Sequence, residues 1–133
     1  MVSYLEVKSG KRTEMLDITP LVEERVRASG VRNGVCHLFV PHTTAGITVN
    51  EGADPAVRRD MTSFLDRLIP VDPAFTHAEG NSDAHIKATL TGISLTLLVS
   101  EAKLLLGTWQ SVYFCEFDGP RRRKVAVKIV PDP

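Results

Sequence analysis

The stretch Trp109–Val130, WQSVYFCEFDGPRRRKVAVKIV, indicates the fold more clearly than any other part of the sequence. Trp109–Phe117 is a clear strand, rich in aromatic and apolar residues. Asp118-Gly119-Pro120 is a turn signal, and Arg123–Val130 then returns as a strand whose alternate apolar residues share one face. The stretch therefore predicts antiparallel β-structure near the end of the chain.

Working back from it, the sequence predicts an opening β-hairpin made of Tyr4–Lys8 and Glu14–Ile18. Thr19-Pro20 and Asp54-Pro55 each mark a helix start, a capping side chain followed by a proline suited to the first turn. Gly30 is expected to end the first of these helices. The second helix carries an amphipathic apolar stripe that runs to Leu68.

The other predicted elements are short. They are strands at Val35–Val40, Ile47–Val49, Ser94–Val99 and Leu104–Leu106, and a helix capped by Asn81 or Ser82 and ended by Gly92. His37 lies within one of these strands and is interpreted as a hydrogen-bonded sheet residue. Because the strands do not alternate regularly with long helices, the pattern predicts one α+β domain over residues 1–133 with mainly antiparallel sheets.

The composition excludes several classes of protein. The 16 basic and 16 acidic residues give a net charge of zero, so nothing in the overall charge favours nucleic acid or an anionic membrane. The first residues lack a basic stretch followed by an apolar one, so we expect no signal peptide, and no apolar run reaches the length of a membrane-spanning helix. Cys36 and Cys115 lie in separate apolar runs and are interpreted as buried, reduced thiols of a cytoplasmic protein.

Chemically useful side chains are concentrated in His77–His85, HAEGNSDAH, which is poor material for a hydrophobic core. Two further polar groups lie at the ends of apolar elements, where functional residues are often carried. Together the three groups supply the candidate site residues His42, Thr43, Thr44, Asn50, His77, Glu79, Asn81, Asp83, His85, Gln110, Glu116, Arg121 and Arg122.

These residue types fit several roles. His42, His77 and His85 can give three imidazoles to one divalent metal, zinc or magnesium, although no HExxH or CxxC pattern supports a metal. Glu79, Asp83 and Glu116 are candidate bases or metal ligands, and His85 a further catalytic group. The other candidates, Thr43, Thr44, Asn50, Asn81, Gln110, Arg121 and Arg122, are expected to bind substrate or phosphate. For the basic run at Arg121, a charged edge strand is an equally good interpretation.

Three motifs resemble the YjbQ family of small bacterial and archaeal proteins. They are HTTAGITVNE at 42–51, HAEGNSDAHIK at 77–87, and GTWQ at 107–110 with CEFDGPRRR at 115–123. The resemblance spans almost the whole chain and implies two packed sheets, a homotrimer, and a polar pocket holding His42, His77 and His85 near a subunit interface. It also implies thiamine-phosphate synthase activity and a bound metal.

Two hypotheses follow. In the first, the protein is a transferase that joins a pyrimidine diphosphate to a thiazole phosphate and releases pyrophosphate in a metal-assisted pocket. In the second, it is a non-catalytic module that binds a small phosphorylated ligand or holds a structural metal. Hydrolysis of another phosphorylated substrate by a metal-bound water is a further alternative that uses the same residues.

Overall fold

The frame of the protein is a pair of antiparallel sheets, described for residues 1–133 by a computed structural model. In chain order the elements are β1 (Ser3–Lys8), β2 (Glu14–Asp17), α1 (Thr19–Ser29), β3 (Gly34–Phe39), β4 (Ala45–Glu51), α2 (Pro55–Leu68), α3 (Ser82–Thr91), β5 (Ser94–Ser100), β6 (Lys103–Leu104), β7 (Gln110–Glu116) and β8 (Arg122–Pro131). The larger sheet has the order β1-β8-β3-β5-β6 and the smaller one β2-β7-β4. The predicted α+β class with two packed antiparallel sheets is confirmed.

The main core lies between the two sheets and is closed by α1. Val22 and Val26 of α1 are fully buried in it, together with inward residues of both sheets such as Leu38 and Phe114. A second, smaller core lies on the opposite face of the three-stranded sheet, where Tyr113 packs beside α3. Because β7 is covered on both faces, its sequence is almost continuously apolar rather than alternating.

The predicted opening hairpin is wrong, because β1 and β2 do not pair. β1 pairs with β8 in the larger sheet and β2 with β7 in the smaller one. The strand that returns after Asp118-Gly119-Pro120 likewise leaves β7 and joins the other sheet. Both connections cross between the sheets side by side: Ser9 N–H donates to the Arg121 carbonyl at 3.0 Å, and Gly119 N–H to the Arg12 carbonyl at 2.9 Å. We call this paired crossing, residues 9–13 with 117–121, the double corner.

The helices begin close to the predicted residues, but the predicted capping side chain does not always make the cap hydrogen bond. Asp54 caps α2 as expected, accepting the Ala56 N–H at 2.9 Å. Thr19 does not cap α1: its hydroxyl accepts the Val112 N–H at 2.8 Å, so it joins α1 to β7 instead. Asn81 makes no cap hydrogen bond to α3. Gly30 ends α1 in the left-handed conformation, at φ 73°, as expected.

The structure also bears on the expectations for His37, for the two cysteines and for membrane-spanning helices. His37 is an exposed sheet residue whose Nδ1 lies 3.1 Å from the Thr96 hydroxyl, as interpreted. Cys36 and Cys115 are both buried and free. None of the three helices has the length and apolar character that crossing a membrane requires.

Candidate functional site

A polar pocket of about 460 Å³ lies at the end of the smaller sheet, beside the double corner. The loop after β3, the loop before α3, the first turn of α3 and the corner after β7 meet there. Its lining contains no hydrophobic residue and consists of Pro41, His42, Thr43, Thr44, His77, Glu79, Asn81, His85, Asp118, Arg121 and Arg123. Eight of these eleven residues, Arg121 among them, were predicted site residues. The structure therefore places most of the predicted site residues around one pocket.

His77 and His85 face each other across one side of the pocket. A tight turn, closed by the Gly80 N–H donating to the His77 carbonyl at 3.0 Å, brings His77 back toward α3. Gly80 has φ 71°, a conformation that other residues rarely adopt. The two rings are perpendicular, with centroids 5.6 Å apart. The carboxylate of Glu79 lies 3.9 Å from His77 Nε2 and is largely exposed, so this ion pair is weak.

His42 is held differently. Its Nε2 accepts a hydrogen bond from the backbone N–H of Lys124 at 3.0 Å. A neutral imidazole with Nε2 as acceptor carries its proton on Nδ1 and has no second lone pair to give. Burial, followed by the charge of Arg123, lowers the pKa of His42 and keeps the ring neutral. In this arrangement His42 offers the pocket an N–H donor rather than a metal-binding nitrogen.

A hydrogen-bonded chain of Asn81, Asp118 and Arg121 forms the opposite wall. Asn81 Nδ2 donates to Asp118 Oδ2 at 2.8 Å, and Arg121 donates to the same oxygen at 3.0 Å through NH2 and to the Asp118 carbonyl at 2.9 Å through Nε. The guanidinium is thereby fixed although 49% of the side chain is exposed. Asn81 is buried, and its Oδ1 has no partner within the chain, which leaves a free acceptor in the wall.

Glu116, a predicted catalytic residue, is fully buried in an ion pair with Arg123. The Arg123 Nε donates to Glu116 Oε1 at 3.0 Å, and Ser9 adds a hydroxyl donor at 2.6 Å. Burial raises the pKa of Glu116, but the hydrogen bonds from Arg123 and Ser9 outweigh it and the pKa lies below its usual value. Arg123 also donates to the Thr44 hydroxyl at 2.8 Å. Glu116 therefore fixes the pocket floor and is not free to move protons.

Asp83 has a similar position on the other side of α3. It is 1% exposed and accepts a bidentate pair of hydrogen bonds from Arg12, both 3.0 Å long. Burial opposes ionisation, but Arg12 and then Lys87 overcome it and lower the pKa of Asp83. Lys87, itself buried, reaches Asp66 of α2 at 2.7 Å. Asp83 does not line the pocket and acts as the link between α3, α2 and the double corner.

Three other predicted residues lie outside the pocket. Asn50 and Gln110 are near neighbours at the far end of the smaller sheet, where Glu51 pairs with Gln110, whereas Ala45 pairs with Glu116 at the pocket end. At about 3.4 Å per residue the two ends are roughly 20 Å apart. Arg122 pairs with Lys8 and lines a separate recess on the outer side of the larger sheet.

Three pocket residues, Pro41, Asp118 and Arg123, were not among the predicted site residues. Arg123 is in phase with Val125 and Val127, which face the core, so an arginine at this position had to be buried and paired. That alternation was a readable signal in the sequence. Asp118 lies in the same polar group as Glu116 and Arg121, at the end of an apolar strand, and that was the signal available for it.

The predicted three-histidine metal site is not assembled within one chain. No group of three or more His, Cys, Asp or Glu side chains lies in an arrangement that could hold a metal ion. His77 and His85 are near each other, but His42 Nε2 is occupied by Lys124. The residues of a single chain therefore do not fit the zinc or magnesium ion that the sequence predicted.

What the pocket does offer is several hydrogen-bond donors around a space that no hydrophobic residue lines. Arg121, His42, Thr43, His77 and His85 are in its lining, beside the carboxylates of Glu79 and Asp118. Of the donors, the Arg121 guanidinium and the His42 ring are held in place by hydrogen bonds. Such a lining suits a strongly hydrated, anionic molecule better than an apolar one.

Comparison with known proteins gives the family. The model of the family described as "UPF0047 protein YjbQ-like" matches residues 3–132. The chain is 52% identical to a UPF0047 protein of Methanocaldococcus jannaschii, covering 99% of this chain and 96% of that protein. It is 45% identical to the UPF0047 protein YugU of Bacillus subtilis, over 98% and 99% of the two chains.

Solved structures agree. The chain is similar to the crystal structure of an uncharacterized YjbQ/UPF0047 protein from Clostridium acetobutylicum, with a TM-score of 0.93 and 51% identity over 96% of this chain and 99% of that one. A YbjQ-like protein of unknown function from Sulfolobus solfataricus has a TM-score of 0.93 and 33% identity, over 99% and 97% of the two chains. The chain therefore belongs to the YjbQ-like UPF0047 family.

Proposed function

We propose that this chain is a binding protein for a small phosphorylated molecule, which it holds in the polar pocket without chemical turnover. The observation that carries the proposal is the lining itself: a space of about 460 Å³ lined by no hydrophobic residue, in which Arg121 and His42 are donors held in place by hydrogen bonds. A phosphate group can accept hydrogen bonds from several of these donors at once.

Arg121 is the main phosphate contact in this proposal. Asp118 holds its Nε and NH2, so the guanidinium is oriented before any ligand arrives, and its remaining N–H groups stay available. Thr43 and the Nδ1–H of His42 supply neutral donors on the other side. Pre-orientation of this kind reduces the entropy lost on binding.

Binding is favoured over catalysis because the buried carboxylates are occupied. Glu116 is paired with Arg123, and Asp83 with Arg12 and Lys87. Glu79 is the remaining predicted carboxylate at the pocket, and its side chain is 73% exposed, so it has neither the burial nor the partners that tune a general base. Thiamine-phosphate synthesis stays a prediction of the family resemblance, since the relatives compared carry no named activity.

Titration calorimetry with inorganic phosphate, and then with simple phosphate monoesters, tests the proposal. We expect Arg121→Gln to weaken binding at least tenfold. Arg122→Gln is the matched control, the adjacent arginine with its side chain on the outer side of the larger sheet, and should bind as the unmodified protein does. Equal affinities for both variants, or no binding by the unmodified protein, would refute the proposal.

A turnover assay separates binding from synthesis. The protein is incubated with a pyrimidine diphosphate and a thiazole phosphate, with and without divalent metal, beside His85→Ala. We expect no thiamine phosphate above the blank. Formation that disappears in the variant would replace the binding proposal by the transferase.

We also infer that the chain assembles as a homotrimer through the outer face of the larger sheet. Apolar side chains are exposed there on four neighbouring strands, including Tyr4, Phe39, Leu98 and Val130, at 37–53%. Pairing places Val130, Val35 and Leu98 in one row across three strands. An apolar surface of this kind on a protein of zero net charge favours contact with a second copy.

Cytoplasmic location stays a prediction of the sequence.

A further inference from the structure

We propose that this chain has a second binding site, beneath α2, for a small amphipathic anion such as a medium-chain carboxylate. It consists of an apolar slot and a basic groove that adjoin each other. The inference is independent of the function proposed for the polar pocket, and none of the residues lining the two sites is shared.

The apolar slot lies between α2, the end of α3 and the outer face of the smaller sheet. Its volume is about 260 Å³, and Met61, Leu65, Leu90, Cys115 and Phe117 are among its lining residues. Although Met61 and Leu65 turn toward the second core, α2 contributes no fully buried residue. The apolar side of this helix is thus incompletely packed, and a hydrocarbon chain can fill the space that remains.

The basic groove continues from the slot. Thr13, Met15 and Thr62 line both cavities, so they form one trough. The groove measures about 420 Å³, and a single hydrophobic residue lines it. The trough therefore has an apolar end, the slot, and a polar end, the groove. An amphipathic molecule has the same division into a hydrocarbon part and a polar part.

Charge gives the sign of the ligand's polar end. Lys11, Arg58 and Arg59 border the groove, and its two acidic residues are partly engaged elsewhere. Asp66 is paired with the buried Lys87 at 2.7 Å, and Glu14 accepts the Gly10 N–H at 2.8 Å. The positive charges are therefore in excess, which favours an anion.

Arg58 has a donor without a hydrogen-bond acceptor, and this is the most specific indication that a ligand binds in the groove. Its guanidinium lies 5.0 Å from the Tyr113 ring centroid and donates to the Met15 carbonyl at 3.3 Å, so it is held in place. Its Nε–H is buried and has no hydrogen-bond partner. A buried guanidinium N–H without an acceptor is unfavourable, and a small shift of the Arg58 side chain toward a ligand carboxylate in the groove would satisfy it.

The test is calorimetric titration of the full chain with decanoate, below its micelle concentration, and with decanol as the uncharged analogue. We expect one decanoate per chain, with at least tenfold weaker binding in Arg58→Gln. Arg67→Gln is the matched control, since it makes the same change on the same helix outside both cavities, and should not alter the affinity. Decanol should bind equally to all three proteins.

Leu65→Trp tests the slot independently of Arg58 and keeps the result clear if Arg58→Gln unfolds. By filling the slot it should abolish binding of both probes, while circular dichroism shows a native fold. Absence of decanoate binding, binding that survives Leu65→Trp, or equal losses in Arg58→Gln and Arg67→Gln would each overturn the proposal.

Discussion

His42 Nε2 accepts a hydrogen bond from the backbone N–H of Lys124 at 3.0 Å, and this bond ties the loop after β3 to β8. The bond requires an unprotonated Nε2. Burial and Arg123 lower the pKa of this ring, so the folded chain binds its proton less readily than the unfolded chain.

The first prediction concerns pH. Because the pKa of His42 is lower in the folded state, the unfolded state binds more protons once the pH falls below about 6.5, the usual histidine value. The stabilisation is therefore complete above that pH and is lost as the pH falls. An NMR titration should place the His42 midpoint below 6.5, and urea unfolding should show a smaller pH dependence between 7 and 5 in His42→Gln. A midpoint at or above the usual value would contradict the burial of the His42 ring beside Arg123.

The second prediction concerns the buried pair Glu116–Arg123. Glu116→Gln leaves Arg123 buried without its counter-charge, and we expect the free energy of unfolding to fall by roughly 3–5 kcal/mol. Denaturant unfolding measures it, with Glu24→Gln on the exposed side of α1 as a control that should change by less than about 0.5 kcal/mol. Because the pKa of Glu116 is lowered, its contribution is present above the usual glutamate value and is lost as the pH falls below it. A loss no greater than the control's would mean that the pair is unimportant.

The third prediction concerns Asp83 as a link rather than a catalyst. A double-mutant cycle of Arg12→Gln and Asp83→Asn should give a coupling of roughly 0.5–3 kcal/mol, since the two side chains share two hydrogen bonds. The same cycle with the exposed Asp17 in place of Asp83 should be additive within about 0.5 kcal/mol. Additive behaviour of the first pair would show that the contact is not formed in solution.

The fourth prediction concerns the two thiols. Burial raises the pKa of Cys36 to about 11 and that of Cys115 to about 12, so neither forms appreciable thiolate at neutral pH. In the native protein both should react with a thiol reagent at least a hundredfold more slowly than in the urea-unfolded protein, as measured by mass spectrometry. Rapid native labelling of either residue would show that its core opens more readily than the packing suggests.

The fifth prediction concerns assembly. Phe39→Glu and Leu98→Glu each place a charge on the apolar outer face of the larger sheet and should convert the proposed trimer to monomer, as measured by light scattering after size exclusion. Val71→Glu changes an exposed apolar residue in the loop after α2 and should leave the proposed trimer intact. A monomeric unmodified protein, or dissociation by all three substitutions, would refute this interface.

The sequence predicted which segments are strands and helices better than it predicted which strands pair. Apolar and polar residues alternate along β1 and β8 because one face of each strand is buried. This alternation can be seen within the strand's own sequence. Their pairing joins residues more than a hundred positions apart, such as Leu5 and Val125, and no short-range pattern carries it. The turn signals after Lys8 and at Asp118-Gly119-Pro120 were therefore interpreted as reversals between paired strands, whereas both connections cross to the other sheet.

The sequence indicated which candidate residues lie together best where those residues are close in sequence. His77, Asn81 and His85 come together because one turn and one helix start place them. Asn50 and Gln110 were included because they are polar and lie at the ends of predicted strands. They lie at the end of the smaller sheet that is far from the pocket. Arg121, Arg122 and Arg123 have three different environments, which only the direction of each side chain on β8 could reveal.

The position of β8 between β1 and β3 has a consequence for how the protein is made. On the ribosome β1 emerges early, yet its sole partner in the sheet is a strand translated more than a hundred residues later. Until then β1 has no strand beside it and Glu116 lacks Arg123, so the sheet and the pocket floor must be completed together, after β8 has left the exit tunnel. Nascent chains of this protein should therefore stay protease-sensitive until β8 has emerged and then become resistant in a single step.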